Sequence, residues 1–352
     1  MKRYLSFFTF FFFISKVYFF QELDDSDDDA DEDVAFDSFK KKFKRSFSSD
    51  TDYQHRKAVF KDNLKKIRNH NKKPSVSYTQ GINDYTDLSW DEFKAKYLGK
   101  DSTNRAASTQ VGASTNPTYT TPSLYIIPSG RENEMKDWRT VTSPKPVIGP
   151  IKNQGGCGSC WAFSGVGAVE SAYVIFKNDN PILSEQQLVD CSGSYGNAAC
   201  NGGWETSAMS YIRDKGVVLS NNYPYVTSEK NCDSSIIQNN TPYKIKSWSF
   251  LAKGPEAIIQ ALKRQPVTAS IYVGSSFQYY RSGIYTVSSC NLWANHALMT
   301  VAYSLTPGNP YFVLRNQWGT SWGESGYMKL SMRQGDGVCG FSTNQAAAYP
   351  SF

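Results

Sequence analysis

The chain has 352 residues, 40% of them apolar and 14% aromatic, enough for two packed domains and a further segment. Its formal net charge of +6 is spread out, with no Lys/Arg cluster interleaved with aromatics, so nothing points to a nucleic-acid partner.

Residues 1–20 stand apart. Lys2 and Arg3 precede an apolar run from Tyr4 to Ser15, which Lys16 interrupts. A positive start followed by roughly 7–15 apolar residues describes a secretory signal peptide. A retained anchor is the alternative, since Val17–Phe20 extend the run, but a span needs about 20 uninterrupted residues. The signal peptide is the preferred reading, with no membrane association after its removal. Asp24–Asp33 then holds eight acids in ten residues, a composition that buries no apolar surface and predicts a solvated spacer.

From Phe36 to Lys73 the pattern turns helical. Arg56, Phe60, Asn63, Ile67 and Asn71 recur at spacings of three and four and fall on one stripe, and Pro74 ends the helix. Residues 99–123 are rich in Ser, Thr, Gly, Asn and Pro, which is linker chemistry.

The most informative segment is Asn153–Trp161, Asn-Gln-Gly-Gly-Cys-Gly-Ser-Cys-Trp. It places Cys160 at the predicted start of a helix over 162–176, with the amide of Gln154 six residues upstream. The positive end of a helix dipole favours a thiolate, and the thiolate is the nucleophile. An amide nearby can donate to an oxygen that becomes negative when a carbonyl is attacked. The chain has three histidines, His55, His70 and His296. The first two lie in the charged N-terminal region, which leaves His296 as partner for the thiol. Asn316 can orient its imidazole and Trp318 can shield that bond from water. Nucleophile, base and orienter are what an activated thiol requires.

Downstream, 184–191 and 205–214 read as helices, with Ser184 as N-cap. From Tyr243 the character changes to short β-rich runs at 267–273, 283–287, 296–304, 311–315 and 326–331. Helices followed by strands predict an α+β fold of two unlike lobes. Cys160 lies on the helical lobe and His296 on the strand lobe, so the site falls in the cleft between them. All seven cysteines lie after residue 150, and an odd number in an oxidising compartment suggests three bridges and a free thiol. Six cysteines permit fifteen pairings. A redox Cys157-x-x-Cys160 motif is the rival reading, but it requires a preceding strand where Pro150–Gly156 reads as loop.

Cys157–Trp161 with His296 and Asn316 downstream, Ser184–Cys191, Cys200-Asn-Gly-Gly203 and Asn316–Tyr327 carry a close resemblance to the papain-like cysteine peptidases of the cathepsin L group, from about Asp52 to the C-terminus. The stripe from Arg56 to Asn71 and Gly81–Asp87 resemble the family's prosegment motifs, with Asp52 for Glu and Tyr85 for Phe. The resemblance implies a preproenzyme: signal peptide 1–20, an acidic spacer opening the propeptide at 21–50, an inhibitory prodomain at 51–98, a linker with the activation site at 99–130, and a papain-like two-lobe peptidase domain at 131–352. The mature start is expected between Thr120 and Asp137. The implied chemistry is cofactor-free and metal-free endopeptidase action through a Cys160–His296 thiolate–imidazolium pair, with Asn316 orienting and Gln154 in the oxyanion hole. A catalytically inactive peptide-binding relative is the alternative.

The resemblance also implies the bridges Cys157–Cys200, Cys191–Cys232 and Cys290–Cys339. Gly202 and Gly203 would pair with substrate backbone. Trp204, Glu205, Ser270, Ala294 and Asn344 would line the main specificity pocket, with Trp318 beside it, and an apolar residue two before the cleaved bond would be preferred. Within the peptidase domain three features depart from the family: a loop about four residues longer around Pro144–Pro150, Gln317 where Ser is usual, and Glu205 where Pro is usual. Glu205 is expected to face solvent, or else to admit basic residues. Expected partners are protein and peptide substrates, the chain's own propeptide and cystatin-type inhibitors, with the enzyme a monomer. Asn239 heads a glycosylation sequon, which fits a secretory route to an acidic lysosome-like or extracellular compartment.

Overall fold

The computed structural model describes residues 31–98, 119–343 and 347–352. The expected signal peptide, most of the acidic tract, much of the linker and Asn344 lie outside the described residues. Among the described residues no helix is long and apolar enough to cross a membrane.

The N-terminal unit begins with α1 (Glu32–Lys42), capped by the Asp31 side chain, with acids in its first turn and lysines in its last. Those charges complement the helix dipole at both ends. Asp33 pairs with Lys57 at 3.0 Å and also with Lys61, so the end of the acidic tract is ordered, contrary to the expected solvated spacer. Three consecutive acids found a helix start and a lysine-bearing neighbour. That neighbour is α2 (Asp50–Asn71), capped by Ser49. The predicted stripe faces inward: Phe60 and Ile67 are buried, Asn63 donates to the carbonyls of Thr86 and Leu88 at 2.9 Å, and Asn71 brackets Gln80 through its N–H and C=O. The stripe thereby holds β1 (Tyr78–Gln80) and α3 (Trp90–Tyr97), where Ser89 and Glu92 form a capping box.

Next come β2 (Tyr119–Thr120) and β3 (Met135–Asp137). The helical lobe follows with α4 (Cys160–Lys177), α5 (Glu185–Cys191), α6 (Glu205–Asp214) and α7 (Ser234–Gln238). α4 is apolar nearly all round and buried along most of its length, as a helix enclosed on every side must be. The second lobe comprises β4 (Ser247–Phe250), α8 (Pro255–Leu262), β5 (Val267–Ile271), α9 (Ser275–Gln278), β6 (Tyr280–Tyr285), β7 (Ser289–Cys290), β8 (His296–Ser304), β9 (Tyr311–Arg315), β10 (Tyr327–Ser331) and β11 (Ala348–Ser351).

The main sheet runs β1-β6-β10-β9-β8-β3, with β5 also on β8. β8 is buried at every position, so its sequence is mostly apolar on both faces and does not alternate. The first strand belongs to the N-terminal unit and pairs antiparallel with β6, Tyr78 opposite Gly283. Gly283 has φ +88, and a Cβ there would sit 2.6 Å from the Ser77 carbonyl oxygen, so only glycine admits this approach. The tail of the expected 99–130 linker is not free. β2 pairs with β7, Tyr125 donates to Met332 O at 3.0 Å, and its hydroxyl reaches Glu256 at 2.6 Å. Linker composition misled here because backbone pairing and a single tyrosine suffice to strap the segment down.

The N-terminal unit is pinned by Arg56, whose guanidinium meets both carboxylate oxygens of Glu92 at 3.0 and 2.9 Å. Partial burial favours the neutral acid, but the Arg56 and Ser89 hydrogen bonds prevail and hold Glu92 down at about 2. A depressed carboxyl contributes stability above its ordinary pKa and loses it only as pH falls through about 2, so this pair is intact at pH 4–5. Glu92→Ala removes the pair and half of the capping box, at a cost of roughly 1–2 kcal/mol. Limited proteolysis of the full chain at pH 7 is expected to cut within residues 50–98 faster in this variant, and an unchanged cutting rate would contradict the role given to Glu92.

Candidate active site

Cys160 is the first residue of α4 and the one unbridged cysteine. The loop that delivers it is held from several sides. Cys157 is bridged to Cys200, and Gly158 lies so close to the Cys200 carbonyl that a Cβ would sit 2.5 Å from it. Lys152 reaches Glu170 at 2.8 Å and Glu185 at 2.6 Å, tying the loop to α4 and α5. Tyr225 donates its hydroxyl to Gln154 O at 2.7 Å and contacts Ser159 Oγ at the same distance. Neither Lys152 nor Tyr225 was legible in the sequence, because each acts through residues 18 to 71 positions away.

The other half of the site comes from the strand lobe. His296 opens β8 and is buried. Its Nε2 lies 3.0 Å from Asn316 Oδ1, just beyond the end of β9. The Trp318 ring lies over the imidazole at 4.6 Å between centroids, with Phe277 at 6.3 Å. That apolar cover keeps water from competing for the His296–Asn316 bond. Nδ1 of His296 makes no hydrogen bond. α4 packs directly on β8: Ser164 Oγ donates to Leu298 O, and the Ala297 backbone, next to His296, is among the influences that lower the Cys160 thiol.

Trp318 Nε1 donates to Gln154 Oε1 at 3.2 Å. An indole N–H is donor only, so this bond decides which end of the Gln154 amide is which: Oε1 points at Trp318 and the NH₂ toward the thiol loop. The two amide hydrogens go to Cys157 O at 2.8 Å and to Tyr97 O at 2.9 Å. Tyr97 ends α3, so the N-terminal unit lays a backbone carbonyl on the amide expected to receive an oxyanion. The Leu98 carbonyl follows, 3.0 Å from where a Gly158 Cβ would be. Tyr85, Phe93 and Tyr97 stack around Trp318 and one another, and Tyr85 donates its hydroxyl to Trp318 O at 2.9 Å. The Phe-to-Tyr departure therefore adds an anchor between the two units.

This cover sets the electrostatics. Burial pushes the Cys160 thiol up to about 11, a shift that the Ala297 backbone moderates and the Glu205 charge reinforces. Burial likewise pushes His296 down to about 4, against the opposing bond to Asn316. Desolvation thus disfavours the charged form of both groups while the N-terminal unit covers the site.

Along the expected substrate-binding residues the outcome is mixed. Gly202 has φ +105 and Gly203 leaves no room for a Cβ, which would meet Asn197 Oδ1 at 2.5 Å and the Trp161 indole at 2.8 Å. Trp204 is 38% exposed and Ala294 partly buried. Glu205 does not face solvent. It is 3% exposed and accepts from Ser270 Oγ at 2.6 Å, with its carboxyl raised above the ordinary range by burial. The reason is positional: as the first residue of α6 it sits where that helix packs on α4 and meets Ser270 at the β5 end. Besides Cys157–Cys200, the bridges are Cys191–Cys232 and Cys290–Cys339, the pairing the resemblance implied. Asn239 is exposed at the end of α7.

Comparison with known proteins gives the same picture over both units. The profile described as papain family cysteine protease matches residues 133–349, and that of the cathepsin propeptide inhibitor domain matches residues 36–93. Cysteine proteinase 3 of Solanum lycopersicum is 37% identical over 324 residues, covering 90% of this chain and 84% of the relative. The cathepsin L-like proteinase of Fasciola hepatica is 33% identical over 317 residues, covering 88% and 91%. The solved structure of digestive procathepsin L 3 from Tenebrio molitor larval midgut superposes with a TM-score of 0.75 at 32% identity, covering 91% of this chain and 99% of that one. With a nucleophile-bearing helix, a histidine strand and a propeptide lying across both, the chain belongs to the papain family of cysteine proteases and is a cysteine peptidase in its inhibited zymogen form.

Proposed function

We propose that Cys160 is the nucleophile of an endopeptidase, His296 its base and then its acid, Asn316 the orienter of the imidazole, and Gln154 with the Cys160 N–H the donors to the oxyanion. The observation that carries this reading is the lone free thiol at the start of α4, the helix packed on the β8 strand that His296 opens, with His296 held by Asn316 at 3.0 Å. The thiolate attacks the peptide carbonyl and the oxyanion takes the hydrogen bond that Tyr97 O now holds. His296 protonates the leaving amine, and water then hydrolyses the acyl-enzyme. Loss of one such donor costs roughly 2.7–4 kcal/mol in related chemistry.

Removal of the propeptide rehydrates the site, so the thiol falls, the imidazole rises and the ion pair forms. The cut that releases the mature enzyme lies between Thr120 and Asp137 on this reading, after passage of a signal-bearing precursor to an acidic or extracellular compartment, with Asn239 available for glycosylation. The mature enzyme works as a monomer and is open to cystatin-type inhibitors. Glu205 and Ser270, with Trp204, form the pocket for the residue two before the cleaved bond. Trp204 favours apolar side chains there, and the buried carboxyl of Glu205 admits arginine or lysine as well.

An irreversible epoxide thiol inhibitor is expected to add one mass equivalent at Cys160 of the acid-processed enzyme and to leave the intact zymogen at pH 7 at least about 100-fold slower, since only the thiolate reacts. Absence of labelling after processing would favour the alternative, an inactive peptide-binding protein. Glu205→Ala is expected to lower kcat/KM for an Arg-containing substrate about tenfold, the scale of one lost charge-assisted bond, while a Leu substrate is unaffected. Equal values for the Arg substrate before and after the change would remove Glu205 from the pocket.

A further inference from the structure

Gln317 takes no part in the chemistry above, yet it touches Gln154, His296 and Asn316. It is 4% exposed, and its backbone N–H donates to Asn316 Oδ1 at 2.9 Å, the atom that also faces His296 Nε2. Its backbone carbonyl accepts from the Gln154 N–H at 2.9 Å. Its side-chain amide donates to Gln154 Oε1 at 3.0 Å and to Ala297 O at 2.9 Å. Both hydrogens are then used, so the 3.4 Å approach to His296 Nε2 is packing contact. The amide cannot be turned over, since Oε1 would then face two acceptors with no proton between them.

We propose that Gln317 is a positioning residue for the oxyanion donor, a strut linking the Gln154 side chain to the strand that carries His296. The proposal rests on the reading of Gln154 as that donor. Trp318 Nε1 fixes which end of the Gln154 amide faces the cleft but leaves it free to rock about that bond. A second donor to the same oxygen, from a side chain itself tied to Ala297 O, removes that freedom. The tie matters most after activation. In the zymogen Tyr97 O also holds the Gln154 NH₂, and when the propeptide leaves, the Trp318 and Gln317 bonds to Oε1 and the Cys157 bond to the NH₂ remain. Gln317 thus joins residues from both lobes at the floor of the cleft. It occupies the position where the family usually carries Ser, whose side chain is too short to reach Gln154 Oε1 and Ala297 O together.

The test uses full-length zymogen processed by acid. Gln317→Met keeps length and volume and removes both side-chain hydrogen bonds. It is expected to lower kcat about tenfold with KM within about twofold, because misplacement of a transition-state donor by a fraction of an ångström has effects on that scale. Affinity for a peptide aldehyde should fall by the same factor, since addition of the Cys160 sulfur to the aldehyde carbon leaves its oxygen in the same place. The pH limbs of kcat/KM and the epoxide labelling rate should not move. In a Gln154→Ala background, Gln317→Met should cost nothing further. An unchanged kcat in the folded variant, or an equal loss in both backgrounds, would overturn the proposal. If Gln317→Met does not fold, Gln317→Ser carries the same expectations and the same refutation. An unchanged kcat for Gln154→Ala alone would instead reject the reading of Gln154, independently of Gln317.

Discussion

The side-chain oxygen of Gln154 is the point on which the two lobes converge. It accepts from Trp318 Nε1 and from Gln317 Nε2, both on the segment after β9, while Gln154 itself belongs to the loop that delivers Cys160. Cys160 and His296 sit on different folding units, so their relation cannot come from either unit alone. It comes from polar contacts at the bottom of the cleft. Because an indole donates and never accepts, the orientation of the Gln154 amide follows from the packing of Trp318, which in turn rests on Phe277 and Trp322 in the strand-lobe core.

The propeptide inhibits by satisfying the site as well as by blocking it. Tyr97 O accepts the hydrogen that the Gln154 amide is proposed to donate to an oxyanion. Phe93 and Tyr85 complete an apolar enclosure over Trp318. Inside that enclosure burial pushes the thiol up and the imidazole down, because desolvation acts against the charged form of each. The cover that blocks the cleft thus also disfavours an ion pair within it. The arginine–carboxylate pair behind α3 is arranged to survive mild acid, so the part of the propeptide nearest the cleft is backed by a contact that does not titrate in the range where such a zymogen would be processed.

Much of the fold was legible from the residues. α6, β8 and β9 match their predicted ranges, and α4 and α5 begin within two residues of theirs, since periodicity and caps are local signals. β1, β3 and the β4–β11 pair were not, because short strands become strands only when a distant partner supplies the ladder. The ordered end of the acidic tract escaped notice for a similar reason: composition records what a segment carries, not which lysines a neighbouring helix will place beside it.

The candidate site divides along the same line. Cys160 at a helix start, His296 as the imidazole available to it, and Asn316, Trp318 and Gln154 beside them were readable in the chain, since spacing and residue type decide those points. Three-dimensional packing alone settled that Glu205 turns inward to Ser270, that burial pushes the thiol up and the imidazole down under the propeptide, and that Gln317 spans the cleft. Those outcomes depend on burial and on hydrogen-bond partners contributed by other elements, and neither is a property of a residue together with its neighbours in sequence.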